Sequence, residues 1–184
     1  MKNILNQILN GKRAYRIFGE IVPGRKIVYL LRKQSTATSS AASLLAYTTE
    51  NARSMTADAT TTTTKDGTMR TAGTPQVEIT GTSILQKNDT MIDTLTGAVR
   101  NGDLMECWEA NLDAPVANET NKFKGTYYQG YLTSLSLTSN AEGNAEISFT
   151  FAANGGGVDG SVTVTDAQQE QASYVFTDTT IQQA

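Results

Sequence analysis

Histidine is absent from the 184 residues, and Cys107 is the single cysteine. Without histidine the chain lacks the commonest general base and metal ligand, and every histidine-dependent catalytic triad is excluded. One cysteine can form no intramolecular disulfide and cannot supply a Cys/His zinc site, which fits folding in an intracellular compartment. Because its neighbours are Glu106 and Trp108, we expect Cys107 to be an unreactive, buried filler. The residues therefore predict no catalysis, no cofactor and no metal site.

Long apolar runs and an excess of positive charge are also missing. No stretch approaches the roughly 18 apolar residues that a membrane-spanning helix needs, and the apolar runs near the N-terminus are too short for a signal peptide. Lys and Arg number 15 against 18 Asp and Glu, a net charge of −3. This balance lacks the basic footprint of a nucleic-acid binder. We expect a soluble domain with no membrane partner, long enough to close its own core.

The apolar residues that are present follow strand periodicity in most of the chain. Short apolar or alternating runs predict strands at 26–32, 44–49, 77–80, 104–112, 123–138, 145–151 and 162–164. The clearest hairpin pairs the run containing Leu135 and Leu137 with the run containing Ile147 and Phe149.

Helical signals are few. The apolar residues between Ile4 and Leu9 predict a short amphipathic helical turn or two that stops at Gly11. A capping box from Thr165 to Gln168 predicts a short final helix. One longer helix is predicted after Asp89, ending near Gly102, with an apolar stripe of Met91, Ile92, Leu95 and Val99. With no regular βαβ alternation, the sum is a mainly β fold, a two-sheet β-sandwich or partly open barrel with one flanking α-helix. We expect an N-terminal extension at 1–25, the β-domain at 26–180 and a tail at 181–184.

Residues 53–75 differ sharply from the rest of the chain. The segment is rich in threonine, with five in a row from Thr60 to Thr64, and it contains Asp66-Gly67. Polar low-complexity composition is typical of a mobile loop. Threonine also favours extended backbone, and Asp-Gly is a preferred hairpin turn, so an arm of two strands closed at Asp66-Gly67 is the other interpretation.

Two groups of side chains are candidates for a binding or catalytic site. Trp108, Tyr127, Tyr128 and Tyr131 favour a core or subunit interface, with sugar binding as a second possibility. Glu106 and Glu109 could form a two-carboxylate hydrolase site, but their spacing of three along a strand places them on opposite faces. We interpret them as solvated or interface charges.

Eight segments, in this order, resemble the major tail protein family of siphophages that infect Gram-positive bacteria. They are SLLAYTTE (43–50), TKDGT (64–68), RTAG (70–73), TSILQKNDT (82–90), MECWE (105–109), FKGTYYQGYLTS (123–134), NGGG (154–157) and YVFTDT (174–179). No single segment is diagnostic, but the ordered set covers nearly the whole chain.

The resemblance implies a phage tail tube fold in a virion structural protein. Copies would form hexameric rings that stack into the hollow tube of a long non-contractile tail, assembled in the host cytoplasm, through which DNA passes without sequence-specific contacts. Tape-measure, tail-tip and terminator proteins are the further partners implied. The polar segment is expected to reach a neighbouring subunit or ring, which makes the candidate arm residues Met55, Thr61, Thr62, Lys65, Asp66, Gly67 and Arg70.

Two alternatives stay open on the sequence. The same fold could serve as the inner tube of a contractile tail or secretion needle. A carbohydrate- or receptor-binding β-sandwich would use the tyrosines at 127–131. The acidic balance favours a conduit, since duplex DNA carries a charge about every 1.7 Å and a basic channel would grip it.

Overall fold

The computed structural model describes residues 21–87 and 89–172. The strands are β1 Ile27–Lys33, β2 Ser43–Leu44, β3 Thr48–Thr56, β4 Ala59–Thr64, β5 Gly67–Ala72, β6 Gln76–Ile84, β7 Met105–Pro115, β8 Lys122–Thr138, β9 Glu146–Ala153 and β10 Val158–Thr163. The helices are α1 Thr90–Asn101 and α2 Asp166–Ala172. The predicted helix at 1–11 and the segment at 174–179 lie outside the described residues. The predicted domain limits at 25 and 180 stay predictions.

The strands form one sheet of eight and one of two. The large sheet has the order β2-β1-β7-β8-β9-β6-β3, with β10 also paired to β8, and the small sheet is β4-β5. All pairings are antiparallel. The prediction of a mainly β, two-sheet fold with a flanking helix and an arm is confirmed.

Strand β8 joins the two halves of the large sheet because it is 17 residues long. Its first half pairs with β7 on one edge and β10 on the other, and its second half pairs with β9. Strands β9 and β10 therefore follow one another along the same edge of β8. They are separated by a break at which Gly155 and Gly157 have φ angles of 85° and 81°. A Cβ at Gly157 would also collide with the ring of Tyr128, so this position requires glycine.

Apolar side chains form a separate core on each side of the sheet. The larger core unites β1, β6, β7, β8 and β9 with α1, through residues such as Leu31, Ile79, Leu95, Met105 and Phe151. The smaller core lies on the other side of β1 and β7, with Leu30, Phe123 and Val164 packed together and Ala172 of α2 against them.

Helix α1 begins and ends where the sequence predicts. The Asp89 side chain accepts a hydrogen bond of 2.9 Å from the Met91 backbone N–H, and Gly102 closes the helix in the left-handed region at φ 67°. These are the preferred N-cap and C-terminal residues. At α2 the predicted capping box also forms, because the backbone N–H groups of Thr165 and Gln168 donate to each other's side chains.

The prediction of one continuous strand at 44–49 is wrong. The chain forms two strands here, β2 and β3, separated by a tight turn in which Tyr47 has a φ of 51°. A β-branched and apolar run favours a strand locally, but the turn is imposed by tertiary contacts described below.

Candidate assembly surfaces

The arm is a hairpin that extends from the β3–β6 end of the large sheet. Its strands pair in register from Ala59 opposite Ala72 to Thr64 opposite Gly67, and every residue of both strands is exposed. The loop residues are Lys65 and Asp66, one position before the predicted Asp66-Gly67 turn. Neither has a positive φ, whereas Gly67 has a φ of 141°. Gly67 therefore directly follows the two-residue loop, as in hairpins in which a glycine after the turn forms a β-bulge.

The arm has two different faces. Because neighbouring residues of a strand point to opposite sides, Met69 lies with its partner Thr62 on one face, and Arg70 lies with Thr61 on the other. The predicted arm residues are therefore brought together, except Met55, which lies on β3 at the root. In the described chain, neither outer edge of the arm is paired with another strand. An unpaired edge presents backbone groups to which another chain can add.

Arg53 ties the root of the arm to the opposite half of the large sheet. Its Nε lies 3.3 Å from Oε2 of Glu109 on β7, and its Nη1 donates a 2.9 Å hydrogen bond to the hydroxyl of Tyr128 on β8. The Tyr29 hydroxyl donates to the same Glu109 oxygen at 2.9 Å. Burial, together with the negative charge of Glu109, raises the pKa of Tyr29 well above its usual range. Sequence reasoning missed this network, because no local pattern links residues so distant in the chain.

A polar surface, here called the hydroxyl face, covers the outer side of β3, β6, β9 and the second half of β8. Residues that are paired across neighbouring strands form rows on this face. The first row consists of Ser54, Glu78, Ala152 and Tyr131. The following rows are Ala52, Thr80, Thr150 and Ser134; Glu50, Thr82, Ser148 and Ser136; and Ile84, Glu146 and Thr138.

The hydroxyl face is acidic and carries no opposite charge. It contains Glu50, Glu78 and Glu146, but no lysine or arginine. Many of its other side chains are serine or threonine, and Thr82 and Ser148 form a 3.0 Å hydroxyl pair across the strands. The large core covers the other side of these strands, so this side faces away from the protein interior. The surface is polar and negative, and it offers no cation to a polyanion.

The predicted aromatic group divides between different surfaces. Tyr127 lies beside Trp108, with ring centroids 5.2 Å apart, and the Arg32 guanidinium lies 4.9 Å from the Trp108 ring centre. Tyr128 points to the other side of β8 and is buried in the large core. Tyr131 lies on the hydroxyl face, four residues from Tyr127. Four strand residues span about 13 Å, so the three tyrosines form no single sugar-binding platform.

Glu106 is the acceptor at the centre of the Trp108 cluster. Its carboxylate accepts from Arg32 at 2.9 and 2.7 Å and from the Tyr127 hydroxyl at 2.8 Å, and the residue is only 7% exposed. Partial burial and the hydrogen bond to Glu106 raise the pKa of Tyr127. Glu106 is thus a structural ion-pair partner.

The remaining sequence candidates for chemistry have structural roles. Glu109 lies on the opposite side of β7 from Glu106, as its spacing predicts, so the two carboxylates cannot flank one substrate. Cys107 is fully buried, and burial raises the pKa of its thiol well above the usual range, which disfavours the reactive thiolate. Within residues 21–87 and 89–172 there is no metal-ligand cluster and no helix able to span a membrane.

Known proteins are similar to this chain in sequence and in fold. A family model described as phage tail tube protein matches residues 21–159. A protein named for a role in the tail of Staphylococcus phage phiMR25 is 31% identical over 98% of this chain and 84% of its own length. Among solved structures, the SPP1 tail tube aligns with a TM-score of 0.70 at 20% identity, covering 89% of this chain and 92% of that chain.

Two further structures have the same fold. The tail of a gene transfer agent particle aligns at a TM-score of 0.57 and 15% identity, over 78% of this chain and 98% of the other. The sheath-tube complex of an extracellular contractile injection system aligns at 0.50 and 11%, over 80% and 95%. The expectation drawn from the ordered sequence segments is confirmed: the chain belongs to the phage tail tube protein family.

Proposed function

We propose that copies of this chain assemble into hexameric rings that stack as the hollow tube of a long non-contractile tail. DNA passes through the channel of this tube. The observation that carries the proposal is the hydroxyl face, which we assign to the channel wall. Tape-measure, tail-tip and terminator proteins would contact the assembled tube in the virion, which forms in the host cytoplasm, and the protein would have no enzymatic role.

The chemistry of the hydroxyl face suits a surface past which DNA must slide. Each lysine or arginine that contacts a phosphate displaces counterions from duplex DNA into solution, and a few such contacts strengthen binding by orders of magnitude at low salt. Glu50, Glu78 and Glu146 repel the phosphates instead. Short hydroxyl side chains keep the wall hydrated and present no aromatic platform except Tyr131 at one end, so stacking with bases is also limited.

The arm and the sheet edges suit self-association. Among the residues that the structure describes, strand β3 is an edge of the large sheet, and the arm continues from it with both of its own edges unpaired. Head-to-tail contacts of this type close into rings when the rotation closes, and they give filaments when it does not. The gene transfer agent tail was refined with C6 symmetry, which supports a ring of six for a chain of this fold.

A difference in structural similarity supports the non-contractile form that we propose. Similarity is greater to the SPP1 tail tube, at a TM-score of 0.70, than to the contractile injection system, at 0.50. Expression with the neighbouring genes of the same tail tests this choice. A tube that is isolated without a surrounding sheath supports the proposal, whereas co-purification of a sheath supports the contractile form.

Electron microscopy of the purified chain tests self-assembly itself. We expect monomers or small oligomers in dilute solution, and hollow tubes after concentration or addition of a cognate tail-tip initiator. A chain in which Gly67–Ala72 is replaced by a scrambled sequence of the same composition is the matched control, because it keeps the length but loses the arm register. Scattered monomers under all conditions, even with the initiator, would contradict the proposal.

A further inference from the structure

Tyr47 combines an unfavourable backbone with an exposed aromatic ring. Its φ is 51°, and in the described part of the chain it is the only residue with a positive φ besides glycines and asparagines. A bulky residue in this region is a steric outlier, usually held by its surroundings. The Tyr47 side chain is nevertheless 64% exposed, so its ring contributes little packing that would offset the cost within one chain.

The turn around Tyr47 is held by contacts on both sides. The Ser83 hydroxyl donates to the Ala46 carbonyl, and the Ile84 backbone N–H donates to the Tyr47 carbonyl at 3.1 Å. The Thr48 hydroxyl donates to the Leu45 carbonyl at 2.7 Å, while the Leu45 side chain is buried in the large core. The ring is therefore presented to solvent from a fixed base, which lowers the ordering cost of binding.

Tyr47 does not stand alone at its end of the sheet. Thr48, Ser83, Ile147 and Leu137 are successive ladder partners across β3, β6, β9 and β8. Leu137 is 63% exposed. Three strand spacings separate β3 from β8, about 14 Å, so Tyr47 and Leu137 are two exposed apolar side chains on opposite sides of the same sheet end.

The arm leaves the sheet at the opposite end. Strand β3 runs from the Tyr47 turn to Thr56, where the pairing with Gln76 ends and the arm begins. Each arm strand has six residues, a reach of about 20 Å. When two copies are placed head to tail, the arm of one copy points toward the Tyr47 end of the next.

We propose that the sheet end formed by Tyr47 and Leu137 is the receiving site for the arm of a second copy. This inference rests on the proposed self-assembly and specifies which two surfaces meet. The face of the arm that carries Met69 fits the site, because it contains threonines and the 60% exposed Met69 but no charge. A thioether packs favourably against an aromatic ring, and covering Tyr47 would add packing that the exposed ring lacks in the single chain.

Substitutions of Tyr47 measure two effects separately: the backbone strain of this residue in the monomer, and the contribution of its ring to assembly. Asn tolerates the left-handed region, so Tyr47→Asn should leave the Tm of the dilute chain unchanged or raise it by about 2–4 °C. The critical concentration for tube formation should rise at least tenfold, and Tyr47→Phe should restore it. Asn118→Gly is the control, because it changes another residue with a positive φ and should leave assembly unchanged.

The possible results distinguish failure of the proposed function from failure of the proposed receiving site. Wild-type chain that fails to assemble contradicts the proposed function, before any variant is considered. Wild-type tubes together with normal assembly of Tyr47→Asn would overturn the receiving site alone. A clear fall in the Tm of Tyr47→Asn would show that the ring stabilises the single chain, and would also overturn the inference.

Disulfide crosslinking tests the contact directly, since the native Cys107 is fully buried and silent. Chains carrying Tyr47→Cys are mixed with chains carrying Met69→Cys, assembled above the raised critical concentration expected after loss of the ring, and oxidised. We expect a mixed dimer on a non-reducing gel from the assembled fraction, and none from the dilute monomer. The pair Asn118→Cys and Met69→Cys is the control, and a dimer yield no greater than that of this pair would contradict the proposal.

Discussion

The Arg53 guanidinium donates a 2.9 Å hydrogen bond to the hydroxyl of Tyr128 and so joins β3 to β8. These strands are separated by β6 and β9 in the order of the large sheet. The same guanidinium pairs with Glu109 on β7. A side-chain bridge thus closes the two halves of the sheet over the large core, and it fixes the strand from which the arm extends.

We predict that Arg53→Met destabilises the monomer. The substitution keeps most of the apolar stem but leaves the half-buried Glu109 carboxylate without its cation, at a cost of about 1–2 kcal/mol. The measurement is the free energy of unfolding from urea titration of the dilute chain. Arg70→Met removes the same group from the exposed arm and should stay within about 0.5 kcal/mol of the wild type. Equal effects of the two substitutions would contradict the bridging role.

The network also predicts a specific loss of stability at alkaline pH. The pKa of Tyr29 is raised in the folded chain, so its contribution is complete below the unfolded value of about 10 and is lost as pH rises above it. Between pH 9 and pH 11 this loss is about 1.4 kcal/mol from Tyr29. In Tyr29→Phe, the free energy of unfolding should fall less over this pH range. The titrations of Cys107 and Tyr127 occur in the wild type and in the variant alike, so they cancel when the two profiles are compared. Parallel pH profiles of the two chains would refute the assignment.

Glu106 should matter for stability and not for any hydrolysis. Glu106→Ala removes the acceptor of Arg32 and Tyr127 and leaves a partly buried cation, which costs about 3 kcal/mol. Glu106→Gln keeps one acceptor oxygen and should cost less. Urea titration measures both. If Glu106→Ala unfolds at the same denaturant concentration as wild type, the carboxylate is not the structural partner described here.

The local signals in the sequence were sufficient for much of the fold. Leu135 and Leu137 alternate against Ile147 and Phe149, and this alternation specifies the β8–β9 hairpin together with its register. Asp89 and Gly102 limit α1 for similarly local reasons, since a cap depends on residues within one turn of the helix end.

The assembly surfaces could not be predicted in the same way. Each strand of the hydroxyl face shows its own alternation of Ser, Thr and Glu. That these strands together form one surface without lysine or arginine can be seen only once β3, β6, β9 and β8 are known to be neighbours. The turn at Tyr47 depends on Ser83 and Ile84, which lie far away in the chain. A preference for extended backbone at residues 44–49 was therefore overridden by tertiary hydrogen bonds.

Shortening the arm should impair assembly without affecting the fold. Replacement of Thr62–Met69 by Asn-Gly leaves Thr61 opposite Arg70 and closes a shorter hairpin through a preferred turn. Because no residue of β4 or β5 is buried, we expect an unchanged Tm and a strongly raised critical concentration for tubes. Calorimetry and sedimentation measure the two quantities. Normal tube formation by this variant would show that the arm does not join copies.

Charge reversal on the hydroxyl face should convert a repelling wall into a binding one. Glu50, Glu78 and Glu146 changed together to Lys should still permit assembly, since these side chains lie outside both cores. Tubes of this variant should retain labelled duplex DNA at low salt and release it as salt rises, as counterion release requires. The triple Gln variant is the control and should retain much less. Equal, weak DNA retention by both variants would contradict the assignment of the hydroxyl face to the channel wall.

The most direct measurement is a high-resolution cryo-electron microscopy reconstruction of tubes assembled from this chain. We predict six copies around an open channel, with Glu50, Glu78 and Glu146 on the channel wall and the arm of each copy against Tyr47 of a copy in the next ring. A reconstruction with the hydroxyl face on the outer wall, or packed between subunits away from the channel, would contradict it.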